Sequence, residues 1–172
     1  VFTRQWEDPP TLDPAKAGDT TSSGIVVEVF SGLVTFNNQV QLIPDLAERW
    51  EASPDGATWT FYLRKDVKWH DGRPFTAEDA RFSLERMAFW KEYKILSPKG
   101  GALLAAVKGV EAPDENTVRL TLKRPDVSFI TSAASGWVFI LPKHTIQAKG
   151  NMKKDVNGTG PFIWKSYSSG VM

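Results

Sequence analysis

Val67-Lys68-Trp69-His70-Asp71-Gly72-Arg73-Pro74-Phe75-Thr76-Ala77-Glu78-Asp79 is the stretch whose reading decides the fold. Val67 and Trp69 alternate with Lys68 and His70, a period of two that belongs to a strand. Asp71-Gly72 then supplies the residue pair that tolerates positive φ, so the strand should end there. Thr76 can accept from the backbone N–H of Asp79, while the Asp79 carboxylate sits in the positive first turn of a helix, a variant of the capping box. A helix is therefore predicted from Ala77 to about Tyr93. At 3.6 residues per turn Ala80, Leu84 and Met87 share one face, and Phe82, Phe89 and Tyr93 fall nearly opposite. Two apolar faces mean burial on both sides or an aromatic binding wall, and burial is the expectation in a layered fold.

Upstream, Trp59, Phe61 and Leu63 alternate with Thr58, Thr60 and Tyr62, the first strand of a meander entered through the Ser53-Pro54-Asp55-Gly56 turn. Pro44-Asp45-Leu46-Ala47-Glu48-Arg49-Trp50 reads as a short helical turn leading into it. Leu33 to Phe36, the Asn37-Asn38 turn and Gln39 to Leu42 read as a β-hairpin. Before it, Ile25, Val26, Val29 and Phe30 recur with helical spacing behind an Asp19 or Thr20 cap and end at Ser31-Gly32. Asp8-Pro9-Pro10 and Leu12-Asp13-Pro14 force extended turns, since the residue before a proline is pushed out of the helical region. Val1 and Phe2, close to Trp6, read as an opening strand that needs neighbours.

Downstream, Lys99-Gly100-Gly101 marks a flexible break. Val107 to Ala112 and Thr117 to Leu122, joined by Pro113-Asp114-Glu115-Asn116, read as a second hairpin. Phe129-Ile130 fits a short helix begun near Pro125-Asp126, and Val138-Phe139-Ile140-Leu141 has strand length and ends at Pro142. Lys149 to Asn157 is polar and loop-like, and Phe162 to Tyr167 is strand-like with no closing element after it. The two ends together suggest a fragment.

Composition narrows the function. In 172 residues, 41% hydrophobic and 12% aromatic content is enough to build a core, and 21 Lys plus Arg against 20 Asp plus Glu leaves a formal charge of +1. No global field favours nucleic acid or anionic lipid. The chain has no cysteine, which excludes disulfides, thiolate metal sites and cysteine nucleophiles. No apolar run approaches the roughly 20 residues that span a bilayer.

Several residues invite chemistry. His70-Asp71 suggests a dyad, yet neighbours on a strand point to opposite faces and Asp-Gly is ordinary turn chemistry, so a structural role is the better reading. His144 is the only other histidine, and with no H-x-x-x-H spacing a zinc site has little support. Ser22, Ser23, Ser132 and Ser135 lack the G-x-S-x-G elbow. Asn157-Gly158-Thr159 matches a glycosylation sequon but reads equally as a turn. Trp137, following Ser135-Gly136, can wall a pocket, though most tryptophans are core or interface residues.

Taken in order, several segments resemble the family-5 solute-binding proteins of peptide, dipeptide and nickel importers. They are Leu12-Asp13-Pro14, Phe30-Ser31-Gly32-Leu33-Val34, Ile43 to Trp50, Ser53-Pro54-Asp55-Gly56, Trp59 to Arg64, Val67 to Asp79 and Gly158-Thr159-Gly160-Pro161-Phe162. The resemblance implies an α/β fold with mixed sheets, the type II periplasmic-binding-protein architecture, present in part. Residues 1–43 would be the first segment of lobe I, 44–156 a small extra α+β domain, and 157–172 the return into lobe I. It implies capture of a solute, an oligopeptide for preference, and delivery to the membrane permease of an ABC importer. No bond-making, metal or cofactor is implied, and the location would be periplasmic or extracellular. By resemblance Asp19, Thr20, Thr21 and Ser22 line the cleft, and Ser97, Lys99, Gly100, Gly101 and Trp137 reach the ligand from the extra domain. The rival readings are a small hydrolase built on His70-Asp71 and a non-binding structural fragment.

Overall fold

The computed structural model describes residues 8–95, 99–150, 152 and 156–166. Its centre is an antiparallel sheet in the order β3-β4-β6-β5, formed by Ala47–Ala52 (β3), Thr58–Leu63 (β4), Val107–Asp114 (β5) and Thr117–Leu122 (β6). Pairing of Trp59 with Leu120 and of Phe61 with Val118 puts the alternating apolar residues of β4 and β6 on one face. Phe61 and Val118 are fully buried there. A smaller sheet pairs Val34–Phe36 (β1) with Leu42–Pro44 (β2).

The helices are Thr20–Val29 (α1), Ala77–Ala88 (α2), Lys99–Leu103 (α3), Phe129–Ala133 (α4) and Lys143–Lys149 (α5). The capping box of α2 forms, with the Thr76 N–H and hydroxyl both donating to Asp79 Oδ2 at 3.1 Å. Two-sided burial is the outcome for α2. Ala80, Leu84 and Met87 join the core over the sheet, whereas Phe82 joins a second cluster with Leu12, Val26, Val29, Phe30, Phe139 and Leu141. The Asp79 carboxylate also accepts from Trp69 Nε1 at 3.3 Å and Lys143 N at 3.0 Å, tying the cap to α5.

Several local expectations need correction. Residues 44–50 are not helical, because β3 satisfies its backbone in the ladder to β4, with Trp50 opposite Phe61. The first hairpin is wider than a two-residue turn: Asn37 Oδ1 accepts from the N–H groups of Gln39 and Gln41, and Val40 takes φ 59°. Residues 67–69 contribute only a bridge between Lys68 and Pro74. Lys99-Gly100-Gly101 is no break but the start of α3, held where a Cβ on Gly100 would lie 2.6 Å from the Trp137 carbonyl oxygen and 2.7 Å from the Met87 sulfur. Residues 138–141 are buried without a strand partner, with Ile140 N–H bonded to Ser31 O at 2.9 Å. Phe162 to Ser166 likewise carry no strand. The helix α2 stops at Ala88, about five residues short of its expected limit near Tyr93, and the opening strand at Val1 to Trp6 lies outside the described residues.

Candidate functional site

The segment leading into α1 is built by side chains that replace missing backbone partners. Asp19 caps the helix, its Oδ1 accepting from Ser22 N at 2.7 Å. Burial pushes the Asp19 carboxyl up, but the Ser22 N–H and hydroxyl and nearby backbone donors outweigh it and hold the group below the ordinary carboxylate range. Ser22 is fully buried, and its hydroxyl oxygen accepts from Thr11 N at 3.4 Å. Thr20 is exposed and Thr21 half-buried, so these two offer the accessible hydroxyls of the group.

Beneath this loop lies a buried ion pair. Arg86 of α2 donates Nη1 to Asp13 Oδ1 at 2.8 Å and Nη2 to Asp13 Oδ2 at 2.6 Å, with side chains only 5% and 1% exposed. Asp13 Oδ1 also accepts from Ala15 N, and the Asp13 carbonyl accepts from Lys16 N and Ala17 N. Sequence reasoning missed this pair. The available signal was Arg86 on the same helical face as Phe82, Phe89 and Tyr93, since a charge inside an apolar stripe needs a buried partner.

The extra-domain candidates gather elsewhere. Gly100 and Gly101 are buried in α3, and Gly100 rests against the backbone of half-buried Trp137. Gly101 also borders a cavity of about 270 Å³ with Phe89, Trp90 and Lys123. Lys99 opens α3, and Ser97 lies outside the described residues. Trp137 precedes Val138, whose carbonyl packs on Gly32 just past the C-terminal end of α1. Asp19 to Ser22 form the opposite end of that helix, which at 1.5 Å per residue is about 15 Å long. The two groups are therefore separate patches.

The histidines do not form the rival's dyad. His70 Nε2 donates to Gly160 O at 2.8 Å while Nδ1 accepts from Gly158 N at 3.4 Å, a pattern that assigns the ring proton to Nε2. Asp71 instead pairs with His144 Nε2 at 2.9 Å, and its N–H bonds Asn157 Oδ1 at 3.2 Å. Burial raises the Asp71 carboxyl, but His144 and the Arg73 N–H outweigh it and lower it overall. Asn157 is buried and its side chain is committed to this junction, and residues 157–159 carry no turn. Beside it opens a groove of about 410 Å³ bordered by Arg73, His144, Lys149 and Lys165. Among the described residues no cluster of three His, Asp or Glu could hold a metal.

Residues 41–171 match the family described as bacterial extracellular solute-binding proteins, family 5 Middle. The probable deoxycholate-binding periplasmic protein of Escherichia coli (strain K12) is 36% identical over 160 residues, covering 84% of this chain and 29% of that protein. The dipeptide-binding protein of the same organism is 35% identical over 168 residues, covering 86% of this chain and 31% of that protein. Among solved structures, the PBP/SBP MoaA of A. tumefaciens R10 in complex with mannopinic acid superposes with a TM-score of 0.84 at 35% identity, over 96% of this chain and 34% of that one. The chain thus spans about a third of the length of the proteins it matches. Its mixed α/β fold is that of part of a periplasmic binding protein, and the chain belongs to the extracellular solute-binding proteins of family 5.

Proposed function

We propose that the chain is part of the substrate-binding component of an ABC importer, which captures an oligopeptide outside the cytoplasmic membrane and hands it to a membrane permease. The observation that carries this reading is the 35% identity to a dipeptide-binding protein across 86% of the chain. The proposal keeps the division into residues 1–43, 44–156 and 157–172. It is supported by the way Gly160 N–H and Phe162 N–H bond back to Val29 O and Glu28 O, which returns the late segment to the first.

In this reading Asp19, Thr20, Thr21 and Ser22 form one wall of the cleft, and Ser97, Lys99, Gly100, Gly101 and Trp137 form the approach from the extra domain. Peptide main chain would pair with loop backbone and hydroxyls, leaving side chains to hydrated space. Capture needs no nucleophile: the solute stabilises a closed arrangement of two lobes, and the permease distinguishes closed from open. The engagement of both His70 ring nitrogens by the backbone of Gly158 and Gly160, and the pairing of Asp71 with His144, count against the hydrolase.

The test is calorimetry with tri-alanine of the full-length protein that carries this chain, together with small-angle scattering. Binding with compaction is the expected result. Binding of deoxycholate without tri-alanine would overturn the peptide assignment while keeping solute capture, and hydrolysis of the peptide would overturn the function itself.

A further inference from the structure

A buried ion pair is poor value as a stabiliser, because well-packed apolar residues of similar volume often do as well; what it supplies is direction. The pair of Arg86 and Asp13 joins residues 73 positions apart, and both charges are almost wholly withdrawn from water. Arg86 stands on a fixed support. Its helix packs Leu84 and Met87 on the sheet core, and Ser83 bonds both Asp79 O and the Leu141 backbone. Asp13 stands on a loop with no ladder of its own.

From Asp13 a series of hydrogen bonds runs to the start of α1. The Asp13 N–H bonds Thr11 Oγ1 at 3.1 Å, the Thr11 N–H bonds Ser22 Oγ at 3.4 Å, and the Ser22 N–H bonds Asp19 Oδ1 at 2.7 Å. The Asp13 carbonyl closes the turn at Lys16 and Ala17, each at 2.9 Å. Every turn of the loop is thereby referred to one guanidinium fork, whose planar two-pronged geometry a lysine cannot reproduce.

We propose that Arg86 is a positioning residue for solute capture: clamped on Asp13, it sets the conformation of the Thr11–Ser22 loop before the solute arrives. The inference rests on the reading above that this loop lines the cleft. A loop held in its binding conformation loses less freedom on binding, so the clamp acts on affinity without touching the ligand.

The experiment compares the full-length protein that carries this chain with its Arg86→Lys form and with the double variant Asp13→Leu/Arg86→Met, reading amide exchange, thermal midpoint and affinity for tri-alanine. Arg86→Lys keeps the charge and should speed exchange at Lys16, Ala17, Ser22 and Ser23 about 10-fold or more, with β4 and β6 unchanged. Its tri-alanine affinity should fall about 10-fold. The double variant leaves no unpaired buried charge, so its midpoint should recover while its affinity stays low. Unchanged exchange over residues 16–23 in Arg86→Lys would overturn the proposal. So would a double variant that regains affinity along with its midpoint, because the pair would then be a structural pin only. If the unaltered full-length protein binds no tri-alanine, the peptide reading fails by itself, and the exchange result alone decides the clamp.

Discussion

The two apolar clusters flanking α2 are built in different ways. On one side, β3 to β6 supply consecutive, patterned elements, and the core around Phe61, Leu84, Val118 and Leu120 is closed by ladders that each strand shares with a neighbour. On the other, Leu12, Val26, Phe30, Phe82, Phe139, Leu141 and Val156 come from stretches far apart in the chain, with no sheet among them. Where the backbone has no ladder, side chains take over: Asp13, Asp19, Ser22, Ser83 and Asn157 all bond main-chain groups there. The first side is a platform, and the second joins faces of α1 and α5 to loops whose shape is set by tertiary bonds. Such a division suits binding, since rigid elements hold a site and locally adjustable segments line it.

Phe61→Ala should have the largest effect. Its ring is fully buried at the centre of the sheet, and removing it should cost about 3–5 kcal/mol in urea denaturation. Leu141→Ala in the second cluster is the counterpart, at about 2–5 kcal/mol, because Leu141 is equally buried. The contrast between platform and loops predicts that Leu141→Ala speeds amide exchange chiefly around residues 12–30, whereas Phe61→Ala speeds it throughout. Equal loosening of β4 and β6 by both would mean one cooperative unit, and the comparison would break.

Gly158→Ala probes how the two sides are joined. A Cβ at Gly158 would sit 1.9 Å from Val29 O, a clash with backbone that no side-chain rotation relieves. The substitution should cost about 1–3 kcal/mol and displace the segment carrying Gly160 from the end of α1, which the Gly160 amide signal would report. Gly100→Ala should cost less, about 1 kcal/mol, because one of its two close neighbours is the flexible Met87 sulfur. A larger loss at Gly100 than at Gly158 would mean that the contact of α3 with Trp137 matters more than the return segment.

The same division explains what could be read from the chain. Strands β4 and β6 were legible because alternation matches one buried face, β5 because the turn signal at 113–116 pairs it with β6, and α2 from Thr76 and Asp79. Strand β3 was not: Leu46-Ala47-Glu48-Arg49 has good helical propensity, and only pairing with β4 makes it extended. Gly100-Gly101 looks like a break because a glycine wanted for close approach and one wanted for a turn are spelled alike. At the candidate site, the Asp19 cap follows from local sequence. The pairs Arg86 with Asp13 and Asp71 with His144 do not, since each spans 73 residues and no periodicity links its members.

The smallest effect concerns the surface pairing that bridges the two sides. Glu78, in the first turn of α2, accepts from Arg81 Nε at 2.8 Å and Nη2 at 2.6 Å, and Lys143 at the start of α5 reaches it from the other cluster. The Arg81 hydrogen bonds, with help from Lys143, hold its carboxyl down at about 2 against an ordinary 4.5. A depressed carboxylate stabilises the fold above its unfolded value and loses that contribution as pH falls through its folded value. The stability difference between the unaltered chain and Glu78→Gln should thus be flat from pH 7 to 5 and shrink between 4.5 and 2. Glu78 is 43% exposed, so solvent screening limits the difference to about 1 kcal/mol or less, and added salt should reduce it further. Other carboxylates such as Asp19 and Asp71 titrate in both chains and cancel in the comparison. A difference that persists unchanged to pH 2.5 would mean that Glu78 stabilises through packing of its stem and that charge plays no part in joining α2 to α5.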